Sequence, residues 1–274
     1  MQPGILAPVP AHARFLTFHL TGDPTTVRSL PWGPDLVVGI GDSLARQLGL
    51  SIPGLRPFPS LESSVAIPAT PGAIWIRVTG ADPGAIFLRS REVIAALSGF
   101  ELVDAVDGFF HAGRDLSGYE DGTENPVDDA AVAAAISKVP GIEGGSFAAI
   151  QRWKHDFSAF ERMTEAERDD MIGRRRTDNE ELPDAPDSAH VKRTAQESFD
   201  PEAFVVRRSM PWSDVRGAGL VFVAFGATLD AFEAQLRRMA GLEDGVTDAL
   251  FRFSRPQTGG YYYCPPVVDG RLAV

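Results

Sequence analysis

Gly118-Tyr119-Glu120-Asp121-Gly122-Thr123-Glu124-Asn125-Pro126 lies near the middle of a 274-residue chain. It follows an apolar, β-like run (100–110) and precedes an alanine-rich helix (128–137). Two glycines bracket Asp121, and glycine supplies backbone angles that let a short side chain be aimed and a ligand approach closely. The Asn-Pro that closes the stretch stops the following helix from running back into it. The residues alone fit two readings, a carboxylate held on a stiff loop or an acidic surface turn.

The same order of elements falls on either side of this stretch. Before it come β-like segments at 14–20, 36–40, 73–78 and 102–110, with a short helix at 25–30 and an amphipathic helix at 86–97. After it, Lys138 to Gly145 reads as a linker, followed by strands at 147–153, 203–207, 220–225 and 260–264. Helices at 157–171 and 229–239 alternate with them, the second stopping at Gly241. Two β-α-β-β-α-β runs predict an α+β fold of two ferredoxin-like halves, each an antiparallel sheet with helices packed on it, together resembling a dimeric α+β barrel. The halves are residues 1–137 and 146–274, and no sequence identity between them is visible. Residues 1–12 read as a proline-rich arm and 51–72 as an irregular connection. Gly39-Ile40-Gly41 lacks the third glycine and long helix of a dinucleotide site.

A 44% hydrophobic composition suffices for a sizeable core. The net charge of −11, with a pI near 4.9, argues against nucleic acid or an anionic membrane as main partner. A single cysteine, Cys264, excludes an intrachain disulfide and a cysteine-held metal centre. No basic leader or membrane-length apolar run appears, so a soluble, cytoplasmic protein is expected.

Gly-x-x-Asp-Gly continued as Thr-Glu-Asn-Pro resembles the signature of the dye-decolorising peroxidases, a family of haem peroxidases. Further motifs follow in the family's order: Gln151-Arg152-Trp153-x-His155-Asp156, Ile172-Gly173-Arg174, Ser188-Ala189-His190-Val191, Val206-Arg207-x-x-Met210-Pro211 and Asp248-x-Leu250-x-x-Phe253-Ser254. The resemblance spans most of the chain, is strongest over 106–265, and is closest to the compact B-type branch. It implies haem b held mainly by the second half, with the Gly118 loop reaching across from the first. His190 matches the proximal iron ligand, and Asp248 the carboxylate on its other ring nitrogen. Asp121 matches the distal acid–base and Arg207 the distal positive charge. Leu220 and Phe222 resemble the apolar pair over the distal haem face. The implied activity is oxidation of dyes, phenolics or Mn²⁺ by hydrogen peroxide through an oxoferryl intermediate. A carboxylate serves as base in mild acid, so an acidic optimum for dye oxidation is expected.

The chain departs from the family where Arg-Asp-Asn usually precedes Met-Pro, since here it reads Arg207-Arg208-Ser209. A one-residue slip would exchange Arg208 for Arg207 in the site. Trp153, Trp212, Tyr119 and Tyr261-Tyr262-Tyr263 are candidates for carrying electrons to bulky substrates, with core packing as the alternative. Arg174-Arg175-Arg176 reads as a solvated helix end. Relatives imply self-association, so a homo-oligomer is expected. The chain ends directly after its last strand, so loading into an encapsulin shell through a C-terminal extension is not expected. Two alternative functions are a haem-handling protein with little turnover, and a carboxylate Ca²⁺ module over 121–129, which lacks an EF-hand's ligand spacing.

Overall fold

The computed structural model describes residues 1–61 and 63–274. Its main sheet comprises, in chain order, β1 (His12–Leu20), β2 (Leu36–Ile40), β3 (Ile74–Gly80), β4 (Phe100–Phe109), β5 (Ser146–His155), β6 (Val206–Arg207), β7 (Met210–Asp214), β8 (Gly217–Gly226), β9 (Ser254–Pro256) and β10 (Gly260–Cys264), and a further two-stranded hairpin, β11 (Val267–Val268) and β12 (Arg271–Leu272), follows the strand expected to be the last. The helices are α1 (Asp42–Gln47), α2 (Pro83–Ala96), α3 (Asp128–Ala135), α4 (Phe157–Glu161), α5 (Glu165–Ile172), α6 (His190–Arg193) and α7 (Asp230–Met239). Among the described residues no helix is long and apolar enough to cross a membrane.

The strands run β6-β8-β7-β4-β1-β3-β2-β10-β5-β9, all antiparallel, and β5 also pairs with β8. That additional pairing closes eight of them into a barrel. β4-β1-β3-β2 come from the first half and β10-β5-β8-β7 from the second, joined at Gly108↔Trp212 and Tyr263↔Ile40. The α+β class with helices on antiparallel strands, and the two halves joined in an α+β barrel, are as the sequence implies.

Strand side chains alternate between faces, so a closed sheet has a lumen and an outside. Ala13, Phe15, Val37, Trp75, Ile150, Trp212, Val223, Phe225 and Tyr262, from strands around the ring, form one buried cluster that fills the lumen. On the outside, Leu16, Phe18, Val38, Ile40, Ile74, Ile76 and Val78 pack beneath α1, α2 and the irregular connection. Burying each such aliphatic side chain contributes about 1.5–3 kcal/mol.

Helix starts are where side-chain caps allow. Asp82 accepts from the backbone N–H of Ala85 ahead of Pro83 at the start of α2. The expected helix over 157–171 divides into α4 and α5, because Thr164 and Glu167 form a reciprocal capping box that starts a new helix. The strand expected over 203–207 shrinks to Val206–Arg207, and a hairpin strand, β7, follows it. The proline-rich arm is ordered: Gln2 and Ile5 are fully buried against β2 and the lumen.

Candidate active site

Between the outside of β5 and β8 and the helices α6 and α7 lies a cavity of about 220 Å³. Its walls are mainly apolar: Trp153, Ile172, Val191, Leu220, Phe222, Phe232, Leu236, Met239 and Leu250. The long connection 174–198, which composition suggests is a solvated excursion, instead wraps this cavity and carries His190 into it.

His190 opens the single-turn helix α6. Its Nδ1 lies 2.7 Å from Oδ2 of Asp248, whose side chain is 0% exposed. Oδ1 of the same carboxylate accepts from the backbone N–H of Leu250 at 2.8 Å, capping a 3-10 turn. A bond from Ala249 N–H to the Ser188 carbonyl at 2.7 Å ties the two segments together. With Nδ1 engaged by Asp248, Nε2 is the ring nitrogen left towards the cavity.

The Gly118 loop forms another wall. Gly118 and Gly122 have φ of +89° and +85°, and a Cβ on Gly122 would sit 2.8 Å from the Asn125 side chain. Arg114 reinforces the loop by donating to the carbonyls of Gly118 and Arg176 and pairing with Glu120. Asp121 Oδ1 stands 3.7 Å from Arg207 Nη1, and both side chains line the cavity. A smaller cavity of about 50 Å³ adjoins the main one at Asp121, Arg207 and Leu220.

Asn125 fixes Arg207 across 82 positions of sequence: its Oδ1 accepts from Arg207 N–H at 2.7 Å, and its Nδ2 donates to the Arg207 carbonyl at 3.1 Å. This clamp, with Arg207 paired to Ala224 and Arg208 N–H bonded to Val223 O, sets the register. Arg208 consequently points away from the cavity and donates to the carbonyls of Leu6 and Ala7. The Ser209 hydroxyl accepts from Val223 N–H at 3.3 Å rather than facing the main cavity.

Sequence reasoning missed a buried relay on the cavity wall. His155 Nδ1 lies 2.7 Å from Ser254 Oγ and its Nε2 3.0 Å from Asp115 Oδ1. Burial alone would raise the Asp115 carboxyl, but the His155 hydrogen bond and charge, with the Ser117 hydrogen bonds, outweigh it and hold it at about 2. His155 and Ser254 each stood in a recognisable motif, whereas Asp115 stood in none. Gln151, also on the wall, is fully buried; its Oε1 accepts from Trp153 Nε1 at 3.3 Å while its Nε2 has no partner.

Other expectations need correction. Trp153, Trp212, Tyr119 and Tyr261 to Tyr263 are all buried, with none above 5% exposed, so none is itself a surface port. Trp212 and Tyr262 face the lumen, Trp153 and Tyr119 the cavity. Arg174 is no solvated helix end: its side chain is 12% exposed, lines the cavity and pairs with Glu124 and Glu181. Among the described residues no cluster of three or more His, Cys, Asp or Glu side chains is placed to hold a metal ion, the 121–129 segment included.

The fold and site are those of an α+β barrel with a lateral, largely apolar cavity, lined by two imidazoles each held by a carboxylate and by a separate carboxylate–guanidinium pair. Residues 112–269, more than half the chain, match the family model described as "Dyp-type peroxidase, C-terminal". A dye-decolorizing peroxidase of Brevibacterium linens is 30% identical over 255 residues, covering 86% of this chain and 70% of that one. That of Mycolicibacterium paratuberculosis is 32% identical over 212 residues, covering 73% and 59%. The dye-decolorizing protein of V. cholerae superposes with a TM-score of 0.89 at 28% identity over 97% of both chains. DyPB of Rhodococcus jostii gives 0.89 at 28%, over 96% and 95%. Variants of the latter are solved in complex with heme, and one in complex with manganese. The chain belongs to the dye-decolorising peroxidase family and is a peroxidase.

Proposed function

We propose that the chain is a haem b peroxidase in which His190 Nε2 holds the iron, Asp248 tunes that histidine, and Asp121 and Arg207 act on peroxide. The observation that carries this reading is the commitment of His190 Nδ1 to a fully buried carboxylate, which leaves Nε2 for the cavity. The cavity also fits the group. Leu220, Phe222, Leu236, Met239 and Leu250 offer apolar walls to a flat macrocycle, and the unpartnered Gln151 Nε2 offers a donor to its carboxylates.

Bound haem supplies the two-electron reduction of hydrogen peroxide and the two one-electron oxidations of the reducing substrate that follow. The chain's own part is to move protons and stabilise charge. Asp121 takes the proton from one peroxide oxygen and returns it to the other, which departs as water. Arg207 lends a fixed positive charge to the anionic stage between those transfers. Asp248 accepts from His190 Nδ1–H throughout, which gives the ring anionic character and fixes its orientation. Leu220 and Phe222 keep bulk water from the reacting oxygens. The reductants proposed are dyes, phenolics or Mn²⁺.

Rapid mixing of haem-loaded protein with one equivalent of hydrogen peroxide tests the assignment by absorbance. The Soret band is expected to change within the mixing series in wild type, and ~100-fold or more slowly in Asp121→Ala or Arg207→Ala. A Soret band indifferent to peroxide would point instead to haem handling without turnover.

A further inference from the structure

Arg208 takes no part in the proposed peroxide chemistry, although it adjoins Arg207, and its guanidinium is spent on backbone carbonyls. Its Nε donates to Ala7 at 2.6 Å, its Nη2 to Leu6 at 2.8 Å and its Nη1 to Arg207 at 2.9 Å. Charge-assisted bonds from one planar group fix several acceptors in a set geometry. Arg208, which stands where the family pattern has Asp, therefore latches the N-terminal arm to the backbone of Arg207 itself.

The latched segment continues as Pro8-Val9-Pro10. The Pro8 ring sets its own φ, the proline after Val9 confines Val9 to extended backbone, and the β-branched side chain of Val9 is stiff. With Arg208 holding Leu6 and Ala7, and β1 starting at His12, the arm is fixed on both sides of Val9. Val9 packs against the lumen cluster and also lines the smaller cavity of about 50 Å³. That cavity touches Asp121 and Arg207, and its lining includes the exposed Phe110, His111 and Gly113, so it joins the pair to the surface behind Leu220. At roughly 10–15 Å³ for each water-sized molecule, it holds only a few.

We infer that the N-terminal arm, latched by Arg208 and presenting Val9, is the selectivity wall of a peroxide entry that admits hydrogen peroxide and rejects branched organic hydroperoxides. The inference rests on the roles proposed for Asp121 and Arg207. Hydrogen peroxide carries only a hydrogen on each oxygen and passes Val9, whereas a branched carbon substituent meets its methyl groups. In either case the same O–O bond breaks, and an organic hydroperoxide leaves as alcohol where hydrogen peroxide leaves as water. A difference between the two rates therefore reports access as well as leaving-group chemistry, and a change in their ratio on altering Val9, which touches neither proton transfer nor charge, reports access alone.

The test mixes haem-loaded protein rapidly with hydrogen peroxide or with tert-butyl hydroperoxide and takes the ratio of the two bimolecular rates from the Soret change. Wild type is expected to react ~100-fold or more slowly with the organic peroxide. Val9→Ala should raise that slower rate by ~10-fold while the hydrogen peroxide rate stays within about twofold, and Val9→Phe should slow hydrogen peroxide itself by ~10-fold. Arg208→Ala should relax the ratio as Val9→Ala does. It should also speed amide deuterium exchange in the peptide covering residues 1–12, a readout that needs neither haem nor turnover. Comparable rates for the two peroxides in wild type, a ratio unmoved by both Val9 variants, or an arm whose exchange is unaltered in Arg208→Ala would each overturn the assignment. Asp121→Ala reacting with hydrogen peroxide at the wild-type rate would instead overturn the distal reading, and the entry with it.

Discussion

The outer faces of the two half-sheets start from similar strand–helix patterns and end in opposite states. In the first half, β1, β2 and β3 present aliphatic side chains that α1, α2 and the irregular connection cover completely. The one buried hydroxyl of α2, Ser90, donates to the carbonyl of Ile86 within its own helix. In the second half, β5 presents Gln151, Trp153 and His155 where an all-core strand would place aliphatics, and β8 presents Leu220 and Phe222. The covering elements stand off, and a cavity results. The difference lies in the connections: the first half returns directly from β3 through α2 to β4, whereas the second inserts the 174–198 segment, pinned by Arg174 and Gln196 to the Gly118 loop. One sheet face has become core and the other a site, because the second carries buried polar groups that need partners.

The sharpest break in that comparison is His190→Ala, which turns the second face towards the character of the first. Haem retention, measured by the Soret-to-protein absorbance ratio after desalting, is expected to fall by at least ~10-fold. Far-UV circular dichroism should be unchanged, since α6 is a single turn. A variant that keeps a full, unshifted Soret band would remove His190 from its assigned role.

Asp115→Asn tests the polar half of the contrast. The Asp115 carboxyl titrates at about 2 rather than 3.8, held there by His155 and Ser117 against burial. A depressed folded-state value contributes stability above the unfolded value, so the contribution is complete above about pH 4 and is lost as pH falls towards 2. The size is ~2 kcal/mol, or roughly 4–8 °C in Tm at pH 7. Wild type and variant should therefore converge in thermal scans run down to pH 2. A gap that persists there would mean that the effect is packing rather than charge.

Asn125→Ala separates holding haem from using peroxide. It removes the side-chain partner of the Arg207 N–H and one of the two donors to the Arg207 carbonyl, which keeps Arg208 Nη1, a loss of about 1–3 kcal/mol, and frees Arg207 to drift from Asp121. The peroxide step is expected to slow by ~10-fold or more while haem content stays at the wild-type level. Haem loss alongside the slowing would show that the loop supports the whole cavity rather than one side of it.

Much of this was legible in the sequence, and the remainder failed for identifiable reasons. Short apolar and aromatic runs marked β1, β3, β5 and β10, and Gly-x-x-Asp-Gly with its downstream motifs indicated the family. β7 escaped notice because Pro211 argues against a strand. It is tolerated where β7 touches β4 through one residue pair only. Barrel closure left no local trace, since β5 meets β8 some 70 positions later and either half could have paired elsewhere. The Asn125–Arg207 clamp and the Asp115–His155–Ser254 relay join residues far apart in the chain, and no periodicity encodes such contacts. Trp75 and Arg77 are two apart on one strand, so a shared face was evident. Whether that face met solvent or a lumen depended on the closure itself.

The smallest expected effect makes the finest comparison, because the two halves contain matched helix caps. Asp82 caps α2 in the first half, and Thr164 caps α5 in the second. Replacing either by alanine should cost ~1 kcal/mol, a few degrees in Tm. Their consequences should nevertheless diverge. α2 covers closed core, so Asp82→Ala is expected to leave haem affinity untouched. α5 carries Ile172 on the cavity wall and Asp169, which accepts from the hydroxyl of Tyr119 in the Gly118 loop. Thr164→Ala should therefore weaken haem binding by a few-fold in a competition titration against apomyoglobin, at equal loss of Tm. Equal haem affinity in the two variants would show that the cavity is held by its loops alone and that α5 is only scaffold.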